Sequence, residues 1–176
     1  MVSRVMPRNV EIKARIGDIA ALTARVAAIA TDGPQEIVQD DTFFACAHGR
    51  LKLRAFAHDD GQLIFYRRAD AAGPTESFYV LSPTTSPDRL RDTLAHACGV
   101  TGRVRKRRTL YLVGRTRVHL DEVEGLGDFL ELEVVLRDDE ATGDGVAEAH
   151  ALLERLGIER SALVERAYVD LLQEAR

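Results

Sequence analysis

Apolar and polar residues alternate with a period of two along much of this chain. In residues 9–16, Val10, Ile12 and Ala14 alternate with Glu11, Lys13 and Arg15. Successive side chains on a strand point to opposite faces, so each set shares one face. The same rhythm predicts strands over residues 9–16, 36–47, 50–57, 62–69, 76–82, 100–113, 115–122 and 128–137. Turn signals separate several of them: Ala47-His48-Gly49, His58-Asp59-Asp60-Gly61, and Gly114 after Leu112-Val113. Eight strands with hairpin-length gaps predict a mostly antiparallel sheet, closed or strongly curved.

Helices interrupt the alternation. Asp18 can cap a helix running to about Ala30, stopped by Asp32-Gly33-Pro34. Ser86-Pro87 is an N-cap and N1 pair for a helix ending before Gly99. A third helix is expected over residues 146–156, stopped by Gly157. A fourth is expected from Ser161, with Leu163, Val164, Ala167, Tyr168, Leu171 and Leu172 as an apolar stripe for core packing. The Asp- and Gly-rich stretch 137–145 reads as the segment with least order. No repeat or linker divides the sequence. The expected class is therefore α+β: one domain, 1–176, of eight mostly antiparallel strands, closed into a β-barrel or strongly curved, with flanking helices.

Composition narrows the function classes. With 176 residues, 45% hydrophobic and 30% charged, the chain has the profile of a globular protein with a real core. No apolar run approaches the ~20 residues of a membrane span, and the first residues lack the apolar region of a signal peptide. Cys46 and Cys98 stand apart without a CxxC motif and read as buried thiols in a reducing compartment, giving a cytoplasmic expectation. The net charge is −4, so any basic site must be local. The run Arg103 to Arg108 could contact nucleic-acid phosphates, but alternation splits it between two faces and no aromatics are interleaved. Nucleic acid is thus not an expected partner, nor is a membrane. A homodimer is one way to cover an outward apolar strand face; helices are another.

The charged faces change the picture. Lys52 and Arg54 share a face, as do Lys106 and Arg108, while Arg105, Arg107 and Thr109 lie opposite the latter pair. Arg68 aligns with Tyr66 and Ile64; Arg115, Arg117, His119 and Asp121 align; Glu131 and Glu133 align against Leu130, Leu132 and Val134. On one strand such a face ordinarily meets water. Here whole faces are purely basic and one is purely acidic. If the sheet closes with these faces inward, they line a cavity suited to a polyanion bridged by a divalent metal. Carboxylates on adjacent strands offer hard oxygen ligands to Mg²⁺ or Mn²⁺, and Lys and Arg donate charge-assisted hydrogen bonds to phosphate oxygens. Burying so many charges with no ligand or water would cost several kcal/mol per ion.

These residues resemble the CYTH family, the triphosphate tunnel metalloenzymes named for class IV adenylate cyclase and thiamine triphosphatase. The family begins with an ExExK strand, matched by Asn9-Val10-Glu11-Ile12-Lys13. Asp40–Phe44 looks like its second strand, residues 49–54 carry the K-x-R pair, and residues 63–70 look like the strand ending in Arg-Pro-Asp, with Ala69 in place of Pro. Residues 106–134 carry a second K-x-R, T-R-x-H-L-D and a late E-x-E. The C-terminal helices look like those of the class IV cyclase-like branch. The resemblance implies a barrel forming a tunnel, with Mg²⁺ or Mn²⁺ on Glu11, Glu131 and Glu133 and a possible contribution from Asp121, which could instead orient a cation. It implies phosphate binding by Lys13, Lys52, Arg54, Arg68, Lys106, Arg108 and Arg117, with Lys13 and Lys106 as the catalytic lysines. His119 is either a supporting group beside the metal or a structural histidine; Arg67, Arg105 and Arg107 should face outward. The implied activity is metal-dependent hydrolysis or cyclisation of a tri- or diphosphate-bearing small molecule such as ATP, thiamine triphosphate or inorganic tripolyphosphate. Asn9 replaces the first acidic residue of ExExK and brings no negative charge. That departure keeps a second reading open, a module that binds a nucleotide or polyphosphate without turnover.

Overall fold

The computed structural model describes residues 8–68 and 75–175, apart from the side chains of Arg68, Thr75 and Glu76. Its elements are β1 (Arg8–Arg15), α1 (Ile19–Ile29), β2 (Asp32–Phe44), β3 (Arg50–Ala57), β4 (Asp60–Arg68), β5 (Thr75–Thr84), α2 (Pro87–Cys98), β6 (Val100–Val113), β7 (Thr116–Val123), β8 (Gly127–Val135), α3 (Thr142–Arg155) and α4 (Tyr168–Glu174). The eight strands form one closed antiparallel barrel in the order β1-β5-β4-β3-β2-β6-β7-β8. The ring closes where β1 pairs with β8, with Glu11 opposite Glu133 and Lys13 opposite Glu131.

The main hydrophobic core lies outside this ring. Val10, Ile12 and Ala14 of β1, Val118 and Leu120 of β7, and Leu130, Leu132 and Val134 of β8 pack against Leu22 and Val26 of α1 and Ala149, Leu152 and Leu153 of α3. The helices thus cover the apolar faces of these three strands, and period-two alternation turns their charged faces inward. Local signals place the helices. Asp18 caps α1 by accepting from the Ala21 N–H at 2.9 Å. Pro87 opens α2, and Gly99, with φ 79°, closes it in a backbone region other residues avoid.

A second apolar cluster fills one end of the barrel. Phe43, Val104, Val123 and Phe129 meet Ala167, Tyr168 and Val169 at the start of α4. The expected fourth helix is broken on the way there. A short 3₁₀ turn at Arg160–Ala162 leads into extended chain, where Leu163 bridges to Ala14 and the Val164 N–H donates to the Lys13 carbonyl at 2.9 Å. A continuous helix would forfeit that strand-like bond, so α4 begins only at Tyr168. Two other boundaries move. β2 starts at Asp32, and α3 starts at Thr142, inside the stretch expected to lack order. Arg115 holds that stretch through both carboxylate oxygens of Glu140, which also accepts from the Arg137 N–H at 3.0 Å. Cys46 and Cys98 are half-buried and unpaired. Among the described residues no helix is long and apolar enough to cross a membrane.

Gly102 shows how tightly α4 is seated. A Cβ built at this position would lie 2.3 Å from Val169 Cγ2. Gly102→Ala is therefore expected to displace α4 and lower stability by about 1–3 kcal/mol, the usual range for overpacking. Chemical denaturation measures it; an unchanged midpoint would mean that α4 is loosely held.

Candidate active site

The barrel encloses a cavity of about 320 Å³. Six cations line it, Lys13 from β1, Lys52 and Arg54 from β3, Lys106 and Arg108 from β6, and Arg117 from β7, against four carboxylates, Glu11, Asp41, Glu131 and Glu133. The excess is positive, so the described lining favours an anion. The β4–β5 wall carries no charge among its described lining residues, Gln62, Ile64, Tyr66, Ser77, Tyr79 and Leu81.

Two buried aspartates hold the cations in place. Asp41 accepts from Lys52 Nζ at 2.9 Å and from Arg54 Nε and Nη2, both at 2.7 Å. Asp121 is fully buried and accepts from Arg108 Nε and Nη2 at 2.6 and 2.7 Å, Lys106 Nζ at 3.1 Å and the Tyr168 hydroxyl at 2.9 Å. The fork of each guanidinium meets both oxygens of its carboxylate, which fixes its plane as well as its position. Tyr168 also places its ring 4.0 Å below Lys13 Nζ and 5.0 Å from Lys106 Nζ. Cations that would repel one another are thereby kept side by side.

Two of the three lining glutamates face these groups. Glu131 accepts from Arg108 Nη2 at 3.1 Å and stands 3.6 Å from Lys13 Nζ. Glu133 accepts from Arg117 Nη1 at 3.2 Å and stands 3.5 Å from His119 Nε2. Burial works against the charges of Asp41, Asp121, Glu131 and Glu133, and their partners decide the outcome. For Asp41 and Asp121 burial pushes upward, but the adjacent Arg and Lys outweigh it and hold both well below the usual carboxylate range. Burial likewise opposes Glu131, which Arg108, Lys13 and Lys106 keep ionised. It also opposes Glu133, which the His119 imidazole brings down to about 2. Burial and then Arg54 lower Lys52 to about 8, and burial and Arg108 lower Lys106. Burial and Asp121 raise Tyr168, so it remains a protonated donor.

The placement of the expected site residues follows. Glu11, Lys13, Lys52, Arg54, Lys106, Arg108, Arg117, Glu131 and Glu133 converge on the one cavity. Arg68 ends β4 opposite Ser77, and its side chain lies outside the described residues. Arg67, Arg105 and Arg107 are exposed, and the last two pair with acids on the outer surface. Asp121 does not fit a metal ligand: both its oxygens are committed to Arg108, Lys106 and Tyr168, so it orients cations instead. Glu131 and Glu133 do fit one. Their carboxylate oxygens and a ring nitrogen of His119 lie within 4.8 Å of one another, and Glu11 is their neighbour on β1. Three residues escape a reading of the sequence. Asp41 sits in the matched second strand with no role attached, Gln39 lines the cavity with a buried unpartnered Oε1, and Tyr168 belongs to the expected apolar stripe. Only the alternation of 39, 41 and 43 could have flagged the first two.

The CYTH domain profile matches residues 7–168. The chain belongs to the CYTH domain family. The adenylate cyclase CyaB of Aeromonas hydrophila is 27% identical over 177 residues, spanning 95% of this chain and 90% of that one. Among solved structures, the PH1012 protein of Pyrococcus horikoshii OT3 superposes with a TM-score of 0.83 at 20% identity, covering 93% of this chain and 98% of that one. The PH1819 protein of the same organism gives 0.73 at 20% identity, covering 96% and 99%. The structural likenesses show that this CYTH chain shares the fold of those proteins.

Proposed function

We propose that this CYTH barrel is a metal-dependent enzyme acting on the phosphate chain of a tri- or diphosphate-bearing small molecule. The observation that carries the reading is the convergence of Lys13, Lys52, Arg54, Lys106, Arg108 and Arg117 on one cavity that Glu131 and Glu133 also line. Lys and Arg fixed by Asp41 and Asp121 would hold the phosphate chain extended and in line for displacement, with their positions set before the ligand arrives. The carboxylates of Glu11, Glu131 and Glu133 would hold Mg²⁺ or Mn²⁺, whose charge offsets the negative charge on the leaving phosphate. Lys13 and Lys106, buried against Tyr168, would set the charge next to the reacting phosphate. Among its described lining residues the β4–β5 wall is uncharged, which favours a phosphate chain that carries an organic group. The name of the Aeromonas relative makes ATP the first substrate to try, with cyclic AMP and pyrophosphate as the first products to seek. Two free, half-buried thiols fit a cytoplasmic setting.

The test is a product screen on purified protein. ATP, thiamine triphosphate, inorganic tripolyphosphate and organic diphosphates are each incubated with Mg²⁺ or Mn²⁺. Metal-dependent release of phosphate, pyrophosphate or a cyclic nucleotide from at least one is expected. Asn9 favours a second reading, binding without turnover. It is 3% exposed and its Oδ1 has no hydrogen-bond partner. Tight binding with no product from any compound would select it. Asn9→Glu restores the missing charge and is expected to tighten metal binding; an unchanged metal titration would place Asn9 outside the coordination sphere.

Lys52 gives the site a pH dependence. Its ammonium is charged below about 8 and loses its proton above, so its pull on phosphate weakens as the pH rises from 7 to 9. Bound phosphate favours the ammonium and moves the midpoint upward. Lys52→Arg stays charged across this range. Wild-type affinity for tripolyphosphate is therefore expected to fall relative to that of Lys52→Arg as the pH rises. Parallel profiles by calorimetry would remove Lys52 from the binding set.

A further inference from the structure

Resting on the metal-dependent reading above, we propose that His119 supplies a nitrogen ligand to the divalent ion, so that the site selects a first-row transition ion such as Mn²⁺ over Mg²⁺. His119 stands opposite Glu131 in the β7–β8 register, one inward position from Arg117. It is only 4% exposed, and neither Nδ1 nor Nε2 has a hydrogen-bond partner. A buried imidazole that has given up water for one loose 3.5 Å approach to Glu133, with no hydrogen bond of good geometry at either nitrogen, is costly. Its neighbours explain why it is there. One ring nitrogen and one oxygen each from Glu131 and Glu133 lie within 4.8 Å of one another, the spacing of donors around a shared cation. The 3.5 Å gap between Nε2 and Glu133 Oε2 is too long for a strong hydrogen bond and leaves both atoms turned to the same space.

The surrounding residues hold this donor set still. Arg108 bonds Glu131 through Oε1, and Arg117 bonds Glu133 through Oε2, the oxygen that also stands 3.5 Å from His119 Nε2. Such outer contacts fix the orientation of metal-binding side chains. The donor type sets the choice of ion. Mg²⁺ takes oxygen ligands and keeps much of its water, whereas imidazole suits transition ions and carboxylates suit Mg²⁺ and Mn²⁺ alike. Adding one nitrogen to two carboxylates therefore gains affinity for Mn²⁺ and little for Mg²⁺.

The test uses untagged full-length protein and the metal alone. Mn²⁺ and Mg²⁺ binding are measured by calorimetry for wild type, His119→Ala, His119→Asp and Glu133→Gln. Pulsed electron paramagnetic resonance on the Mn²⁺ complex, with and without ¹⁵N-histidine, reports nitrogen coordination. One coupled histidine nitrogen is expected in wild type and none in either His119 variant. Mn²⁺ affinity is expected to fall on the order of tenfold to a hundredfold in His119→Ala, the range seen when a metal's surroundings are altered. In His119→Asp, which replaces nitrogen by oxygen and guards against a simple packing loss, the Mn²⁺ preference over Mg²⁺ should shrink. An oxygen-only spectrum in wild type, with Mn²⁺ binding lost in Glu133→Gln but kept in His119→Ala, overturns the nitrogen ligand and leaves the metal reading standing. Absence of Mn²⁺ binding in wild type overturns both.

Discussion

Asp121→Ala is expected to lower folding stability by about 3–5 kcal/mol, the usual cost of removing one partner from a buried ion pair. The carboxylate lost is the shared acceptor of Arg108, Lys106 and Tyr168. Arg108 and Lys106 are both nearly fully buried, at 4% and 6% exposure. Without Asp121 they face each other with Glu131 as the nearest remaining counter-charge. For a chain of this length such a loss lowers the melting temperature by on the order of 10 °C. Asp121→Asn keeps the shape and removes only the charge, so most of the loss should persist there. Chemical denaturation of both variants measures it. A loss below about 1 kcal/mol would mean that water, rather than Asp121, satisfies these cations.

Glu131→Gln and Glu133→Gln are expected to reduce turnover by at least about 10²–10³-fold, the scale on which preorganised charge at a reacting centre acts. They should weaken metal binding in parallel and leave the fold intact. The distinction from Asp121 is structural. Arg108 keeps both its bonds to Asp121 when Glu131 is neutralised, and Arg117, which bonds Glu133, is 41% exposed and can turn to water instead. Turnover assayed against Mn²⁺ concentration, with a denaturation curve alongside, separates loss of function from loss of fold. Full metal-dependent activity in both variants would remove these two residues from the site.

Alternation revealed which residues share a face, but not which face is inside. Val10, Ile12 and Ala14 would by habit point into a barrel; here they point out, because α1 and α3 cover them. The family resemblance supplied the orientation that periodicity lacks. It could not supply Tyr168. That residue reads as one more apolar position on a helix, and its bond to Asp121 spans 47 positions of sequence. Nor could local propensity foresee the break before α4, which depends on a carbonyl of β1 contributed by the opposite end of the chain. Asp121, read as either a metal ligand or a group that orients a cation, shows the complementary limit. Its motif is legible, but whether a carboxylate binds a metal or a guanidinium depends on what the neighbouring strands place beside it.

Phe43, Val104, Ala167 and Tyr168 belong both to the second apolar cluster and to the cavity lining, so at that end the wall is largely carbon. A barrel stoppered there would pass arrivals and departures through one doorway. A long linear polyphosphate could then offer only its tip, and attack would proceed from chain ends. Whichever fragment lay deepest would leave last, and its lingering would throttle the next round.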